Sequence, residues 1–281
     1  MNILIIGGSG FLGGRIYHYF KSKNFNTKVL IRNKNFNSKL YFKNDQITFN
    51  FKNLSKLNAV CKNIDVIIHV AGMNSRQSYN KPKDAIYIKK NFTKELIKIA
   101  EKQNVKKFFY ISTAHVYSDF LNKRYSEKSV TKNTHPYALS NIEGEKILLK
   151  HNKKNSKIKI FILRLSNSFG KPIDYRVNCW KLFVNDLCYQ SVKNKKMIIT
   201  QHPDIKRDFI PINNFLKVIE FFIKTKNNYS NIIFNVGSGK SLKLSEMAKI
   251  IRKRVLINLG YLPEIIYNRK YLTEKININF I

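Results

Sequence analysis

Residues 2–14 of the chain read NILIIGGSGFLGG. An apolar run typical of a buried strand passes directly into glycines spaced three residues apart, and a segment of helical period follows. Glycine permits a tight turn and a close approach of the backbone to a pyrophosphate, which the free N–H groups of a helix N-terminus attract. Strand, glycines and helix together predict a Rossmann dinucleotide-binding unit. The residues expected at the cofactor are Gly7, Ser9, Gly10, Phe11 and Gly13.

Composition indicates a packed α/β globule. The chain has 281 residues, of which 43% are apolar and 13% aromatic, enough for a full core with a smaller appended lobe. Cys61, Cys179 and Cys188 lack metal-ligand spacing and form no disulfide framework, so we expect neither a metal nor an oxidising compartment. No apolar stretch approaches the roughly 20 residues of a membrane span, and no signal peptide is evident. We therefore expect a soluble, cytoplasmic protein.

The charge is strongly positive, at +35 from 52 Lys and Arg against 17 Asp and Glu. Such an excess is typical of proteins that bind polyanions. The lysines are spread from Lys21 to Lys275 without a dense basic arm, which favours a general compositional bias over a dedicated nucleic-acid face. A positive field would still attract a phosphorylated substrate and cofactor.

Apolar runs bounded by polar turns alternate with longer segments of helical period up to about residue 165. This rhythm is typical of a parallel sheet with helices on both faces. Strands are predicted at 2–6, 28–31, 47–51, 66–70, 107–112 and 159–165. Helices are predicted at 11–21, 85–103 and 136–151.

After Gly170 the regular alternation of strands and helices ends. A helix is predicted at 177–191 and a short strand at 197–200. Apolar runs at 209–212 and 232–236 then enclose a helix at 214–224. The predicted fold is therefore α/β, a Rossmann doubly wound parallel sheet with a small C-terminal substrate-binding lobe. Residues 1–169 and about 207–236 form the NAD(P)-binding domain, and about 170–206 with 237–281 form the lobe, which we expect to be incomplete because the chain ends early.

The second strand ends at Arg32, where an NAD site usually offers an acidic residue to the ribose 2′-hydroxyl. An Arg there favours the 2′-phosphate of NADP, although NAD remains open because Arg32 is one cation among many.

Two later segments read FFYISTAHVYS at 108–118 and HPYALSNIEGE at 135–145. With GGSGFLG, DVIIHVAG, LRLSNSFG and RDFIPINNFLKVI, the chain resembles the extended short-chain dehydrogenase/reductase superfamily, specifically the NAD-dependent epimerases and dehydratases that act on nucleotide sugars. The matching pieces occur in the family's order and cover residues 1 to about 240.

The resemblance implies roles for particular residues. Thr113 would hydrogen-bond the reacting sugar oxygen, and Tyr137 would be the general base during hydride transfer. Further residues implied at the cofactor are Asn53, Ala71, Asn91, Tyr137 and Asn141. Residues implied at the substrate are Asn167, Arg207 and Arg269, of which the arginines suit phosphate. Asn178, near the start of the helix predicted at 177–191, is a further residue expected to face the sugar.

One position departs from the family's Tyr-x-x-x-Lys motif, because Asn141 stands four residues after Tyr137. At this helical spacing the family's ammonium would lie beside the phenol and the cofactor ribose. Asn can hydrogen-bond the ribose but supplies no charge, and a nearby cation lowers a phenol pKa by roughly 1 to 3 units. Our hypothesis is that Asn141 marks a divergent or weakened enzyme.

Three functions remain open from the sequence. The first is an NAD(P)-dependent epimerase or dehydratase of a nucleotide sugar, in the context of surface polysaccharide precursors. The second is a cofactor-binding sensor or scaffold of low activity, and the third is an RNA-binding relative of the superfamily. The resemblance also implies a homodimer.

Overall fold

A computed structural model of the chain describes residues 1–32, 42–118, 124–153, 157–227, 229 and 232–268. Contacts divide it into two units. The first contains residues 1–166, 172–177 and 212–236, and the second contains 167–171, 178–211 and the chain from Gly237 onward.

A seven-stranded, wholly parallel sheet forms the centre of the first unit. In chain order its strands are β1 (Asn2–Ile6), β2 (Asn26–Ile31), β3 (Gln46–Thr48), β4 (Val66–His69), β5 (Lys107–Thr113), β6 (Lys159–Leu165) and, after three strands of the second unit, β10 (Ile233–Val236). Their spatial order is β10-β6-β5-β4-β1-β2-β3. The strand order reverses between β1 and β4, and in an open parallel sheet ligands bind beyond the strand ends at such a point.

Helices cover both faces of this sheet. They span Phe11–Ser22, Leu57–Val60, Ser75–Asn80, Pro82–Ile86, Thr93–Lys102, Pro136–Asn152 and Ile212–Lys224, and a π-helix occupies Tyr87–Phe92. The core side chains are almost entirely aliphatic and aromatic, as expected for strands buried on both faces. The predicted Rossmann fold is confirmed.

The second unit contains short strands and two long helices. Strands β7 (Asn167–Phe169), β9 (Lys206–Pro211) and β11 (Ser241–Lys243) form one sheet, and β8 (Lys196–Ile199) pairs with β12 (Glu264–Tyr267). The helices Phe183–Asn194 and Leu244–Leu259 pack over its separate core.

Two sequence-based boundaries differ from the structure. The helix predicted at 177–191 begins only at Phe183, because the residues before it form turns, one of them closed by the backbone N–H of Leu182, which donates to the oxygen of Cys179 at 3.1 Å. Residues 167–169 and 207–211 lie in the second unit rather than the first, since β9 pairs with β7 and β11.

Candidate active site

The glycine turn after β1 approaches the end of β4 very closely. Gly7 has a φ of +97°, which strains any other residue, and a Cβ there would lie 2.7 Å from the Cα of Ala71. A Cβ on Gly13 would lie 2.2 Å from the backbone oxygen of Gly7, so only glycine lets the helix approach the strand. Both glycines are therefore required by the shape of the turn.

Gly10 differs from these two glycines. It is exposed, it caps the helix Phe11–Ser22, and a Cβ there would meet nothing nearer than 3.5 Å. The first turn of that helix carries no acidic residue, so its free N–H groups face outward without a competing carboxylate. This arrangement suits a phosphate-bearing ligand, and Ser9 and Phe11 flank it in the chain.

The remaining residues expected at the cofactor differ in their exposure and in their hydrogen bonds. Arg32 is exposed immediately after β2. The side-chain oxygen of Asn53 accepts from the backbone N–H and the hydroxyl of Ser55, at 3.1 and 2.8 Å, within a local turn. Asn91 is exposed on the π-helix Tyr87–Phe92.

Thr113 and Tyr137 come together at the end of β5. Thr113 is the last residue of the strand and is buried, while Tyr137 is the second residue of the helix Pro136–Asn152, which we call the tyrosine helix. Burial raises the pKa of the Tyr137 phenol, and a hydrogen bond with the Thr113 side chain opposes that rise. The phenol therefore stays protonated at neutral pH unless a further group acts on it.

Asn141 is 2% exposed and lies on the buried face of the tyrosine helix. Its amide donates to the backbone oxygen of Tyr137 at 2.8 Å, so one of its two N–H donors is used within its own helix. His135 caps this helix through its Nδ1, which accepts from the backbone N–H of Tyr137 at 3.1 Å, and its Nε2 lies 3.3 Å from the Ser75 hydroxyl.

About two turns after Tyr137, the tyrosine helix is joined to the sheet by a buried ion pair. Arg164 on β6 donates to Glu145 through its Nε and its Nη2, the latter at 2.6 Å, and both side chains are 4% exposed. Glu145 also accepts from the hydroxyl of Ser112 at 2.5 Å. Burying a charge is costly unless it is paired, so these contacts hold the helix in register with β5 and β6.

The described residues that are expected at the substrate lie in the second unit. Asn167 begins β7 and donates to the backbone oxygen of Asp208 at 3.0 Å. Arg207 on β9 is partly buried, and burial lowers the pKa of its guanidinium. Asp208 accepts from the backbone N–H groups of Ser238 and Gly239, both at 2.8 Å.

Within the described ranges no carboxylate pairs with Arg207, which therefore remains available to an anion. Asn178 is exposed in a turn before the helix Phe183–Asn194 rather than at a helix start. Arg269 lies outside the described residues.

Sequence reasoning missed Lys89, which is 5% exposed and lies on the π-helix. A signal was present, because Ala85, Lys89, Phe92 and Leu96 follow the helical spacing of a buried stripe, with a lysine among apolar residues. Its Nζ donates to the backbone oxygen of Ile111 at 3.0 Å.

Two further observations concern the described part of the chain. None of its helices has the length and apolar character needed to cross a membrane. No group of three or more His, Cys, Asp or Glu side chains in those ranges is arranged to hold a metal ion.

Solved structures of other proteins have the same fold as this chain. UDP-glucuronic acid 4-epimerase from Bacillus cereus, solved in complex with UDP-glucuronic acid and NAD, superposes with a TM-score of 0.78. The sequence identity is 21%, and the alignment covers 95% of this chain and 86% of that one.

Relatives are also found by sequence. The chain is 26% identical to dTDP-D-glucose 4,6-dehydratase of Dictyostelium discoideum over 274 residues, which are 89% of this chain and 61% of that protein. It therefore spans less than two thirds of that relative. It is 27% identical to UDP-glucose 4-epimerase of Mycoplasma genitalium, with 93% of this chain and 84% of that protein covered.

The family model for NAD dependent epimerases and dehydratases matches residues 3–237, which include the glycine turn, Thr113, Tyr137 and both Asn167 and Arg207. On this match over most of its length, the chain belongs to the NAD dependent epimerase/dehydratase family.

Proposed function

We propose that this chain is an NAD(P)-dependent enzyme that oxidises a ring hydroxyl of a nucleotide-activated sugar as part of an epimerisation or dehydration. The observation that carries the proposal is the pairing of Tyr137 with Thr113 at the end of β5, in a unit whose glycine turn fits a dinucleotide. The relatives named UDP-glucose 4-epimerase and dTDP-D-glucose 4,6-dehydratase support the substrate class.

The fit of the chain to a dinucleotide rests on the glycine turn. A Cβ at Gly7 or Gly13 would fill the space that the turn requires, whereas Gly10 leaves open space at the N-terminus of a helix. These residues and Ser9 would hold the pyrophosphate through backbone N–H groups. When bound, the nicotinamide accepts and returns a hydride.

NAD and NADP remain alternatives. The UDP-glucuronic acid 4-epimerase of Bacillus cereus was solved with NAD, whereas Arg32 after β2 of this chain suits a 2′-phosphate. Comparing the affinities of wild type and Arg32→Ala for NADPH and NADH decides this point. Selective loss of NADPH affinity in Arg32→Ala would support NADP.

In the proposed reaction Tyr137, in its phenolate form, accepts the proton of the sugar hydroxyl as hydride leaves the carbon that bears that hydroxyl. Thr113 hydrogen-bonds the sugar oxygen through its hydroxyl, beside the phenol that it contacts at the end of β5. Proton transfer by a positioned side chain typically contributes 10²–10⁴-fold to a rate. Both roles depend on the buried, fixed position of Thr113 at the end of the strand.

We assign the substrate's diphosphate to Arg207 and Asn167 of the second unit. Arg207 is a partly buried cation without an ion pair among the described residues, which favours a charge-assisted contact with an anion. We also propose that the product is a precursor of surface polysaccharide, since nucleotide-activated sugars are the donors from which polysaccharides are made.

A second candidate function is a cofactor-binding protein of low turnover. The observation that favours it is Asn141, which supplies no charge and whose amide is bound within its helix. One experiment separates the two candidates: the purified protein is titrated with NAD⁺ and NADP⁺ and then given UDP-, GDP- and dTDP-sugars. Turnover of any sugar supports the enzyme, binding without turnover supports the second candidate, and absence of binding contradicts both.

A further inference from the structure

Thr113 and Tyr137 are far apart along the chain, so chain length does not fix the distance between them. Thr113 ends β5, and Tyr137 follows only after a long connection. A connection of that length allows its ends many separations unless other contacts join them. The hydrogen bond between the two side chains nevertheless requires oxygens about 2.5–3.0 Å apart. The two segments therefore need contacts of their own.

The body of the tyrosine helix is fixed to the sheet beyond Tyr137. The hydroxyl of Tyr110 on β5 donates to the backbone oxygen of Asn141 at 3.3 Å, and the Arg164–Glu145 ion pair follows about one turn later. These contacts set the position of the helix as a whole. Its first turn, which carries Tyr137, is held by the residues that precede it.

Asn133 joins the segment after Thr113 to the segment before Tyr137. Its Nδ2 donates to the backbone oxygen of His115 at 2.7 Å, and its Oδ1 accepts from the backbone N–H of His135 at 2.8 Å. We call these two hydrogen bonds the asparagine bridge. The first partner can only accept and the second can only donate, so the orientation of the amide is determined. Asn133 is 6% exposed, and a buried amide is costly unless it is bonded in this way.

On the side of β5, the asparagine bridge ends at the turn that orients Thr113. The 3₁₀ turn Ala114–Val116 follows Thr113 directly, and the backbone N–H of His115 donates to the Thr113 Oγ1 at 3.2 Å. Asn133 binds the backbone oxygen of the same His115. The bridge thus holds the residue that holds the Thr113 hydroxyl, which keeps its own proton for a further acceptor.

On the other side, the asparagine bridge ends at the cap of the tyrosine helix. Asn133 binds the backbone N–H of His135, whose Nδ1 accepts from the backbone N–H of Tyr137 at 3.1 Å. Pro136 between them has no N–H, so the N–H of Tyr137 is the first that the helix offers. An accepting Nδ1 leaves the imidazole proton on Nε2, which lies 3.3 Å from the Ser75 hydroxyl. His135 thus holds Tyr137, and Asn133 holds His135.

We propose that Asn133 sets the distance between Thr113 and Tyr137, and with it the alignment of the proton transfer. This inference rests on the proposed function. Asn133 is a positioning residue, because it acts on the two side chains through the backbone of their neighbours. A misplacement of about 1 Å can slow a reaction about 10²-fold. Cofactor binding at the glycine turn should not depend on the bridge.

The chain offers a matched control in Asn185 of the second unit. Asn185 is 5% exposed, and its amide also bridges two backbone groups, since it accepts from the N–H of Gly170 at 3.1 Å and donates to the oxygen of Gly170 at 3.0 Å. Asn133→Leu and Asn185→Leu therefore remove hydrogen bonds of the same kind from buried sites. A general loss of stability should affect both variants alike, whereas a loss of alignment should affect only Asn133→Leu.

The first measurement is amide hydrogen exchange of the free protein, which requires no turnover. Leucine keeps the shape of asparagine without its hydrogen bonds. In Asn133→Leu the amide protons of His115 and Tyr137 should exchange about 5- to 10-fold faster than in wild type, because both turns lose the bridge. In Asn185→Leu these two protons should exchange as in wild type.

The second measurement is turnover of a nucleotide sugar on which wild type acts. The kcat of Asn133→Leu should fall about 10²-fold, with the affinity for NAD⁺ or NADP⁺ unchanged, whereas Asn185→Leu should keep its kcat.

Asn133→Asp supplies a rescue of the same bridge. A carboxylate offers no donor to the backbone oxygen of His115, but a protonated carboxyl does. Burial next to a carbonyl oxygen raises the pKa of a carboxyl. The kcat of this variant relative to wild type should therefore be low at pH 8 and recover toward pH 6.

The outcomes separate the two proposals. If the two amides exchange in Asn133→Leu as in wild type, or if kcat is unchanged, Asn133 does not have this role and the proposed function stands. An equal fall of kcat in Asn185→Leu would also overturn the role, because a loss of stability would then explain both variants. If Asn133→Leu does not fold, Asn133→Asp decides, and the absence of recovery at pH 6 contradicts the role. If wild type turns over no nucleotide sugar, the proposed function fails and this inference fails with it.

Discussion

The side-chain amide of Asn141 donates to the backbone oxygen of Tyr137 at 2.8 Å, one turn earlier in the same helix. A lysine at this position would extend past that carbonyl and bring an ammonium alongside the phenol. The Asn141 side chain therefore occupies the position at which the family's lysine would place a positive charge.

Asn141→Lys should therefore raise turnover about 10-fold or more, because an ammonium at this position would lower the pKa of the Tyr137 phenol. Steady-state kinetics of wild type and Asn141→Lys test this, and no gain, or a loss, would count against the charge argument.

Tyr137→Phe removes the proposed proton acceptor and keeps the ring. We expect turnover to fall by about 10²–10⁴-fold, the usual contribution of general acid–base catalysis, with cofactor affinity little changed. Tyr175→Phe is the control, since Tyr175 is 76% exposed. Retention of full activity by Tyr137→Phe would remove Tyr137 from the reaction.

Gly10→Ala and Gly13→Ala should separate binding from folding. Alanine at Gly13 would collide with the backbone of Gly7 and should lower stability by about 1–3 kcal/mol, the usual cost of overpacking. Alanine at Gly10 meets only an ordinary contact at 3.5 Å, so the protein alone should melt like wild type. Because Gly10 is proposed to face the pyrophosphate, its variant should lose the rise in melting temperature that NAD⁺ produces; an unchanged rise would contradict that placement.

Lys89→Met should raise stability at low pH. The pKa of Lys89 is lowered in the folded protein to about 7 from 10.5, so the unfolded chain binds the proton more tightly. The resulting cost is fully present below pH 7 and disappears as pH rises from 7 to 10.5. We expect a gain of about 2–4 kcal/mol in the free energy of unfolding at pH 6, shrinking by pH 9. Denaturant unfolding at pH 6 and pH 9 measures this gain. Equal gains at the two pH values would mean that the charge of Lys89 does not destabilise the folded protein.

Glu145→Gln should destabilise the first unit by about 3 kcal/mol, because it leaves Arg164 buried without its counter-charge. Glu95→Gln is the comparison, since the Lys98–Glu95 pair is exposed and should contribute less than about 1 kcal/mol. Similar effects of the two variants on thermal melting would show that the buried pair contributes no more to stability than the exposed pair.

Much of the fold could be predicted from local patterns in the sequence. Strand β1 and strand β6 have the predicted ends, and the parallel sheet follows from the alternation of strands and helices. The predicted helix at 177–191 was wrong at its start, because residues 177–182 form turns, one of them closed by the backbone N–H of Leu182 on the oxygen of Cys179. Helical period alone does not register such a turn.

The sequence by itself determined that a strand, a glycine turn and a helix form a Rossmann unit, since spacing and glycine's freedom are local properties. It also showed that Asn141 stands where the family has lysine. Only the tertiary structure decided that the Asn141 amide turns back on its own helix and that Lys89 lies buried with its ammonium on the backbone oxygen of Ile111. The physical reason is that burial and charge at a site depend on which helices pack together, and packing is not encoded at any one position.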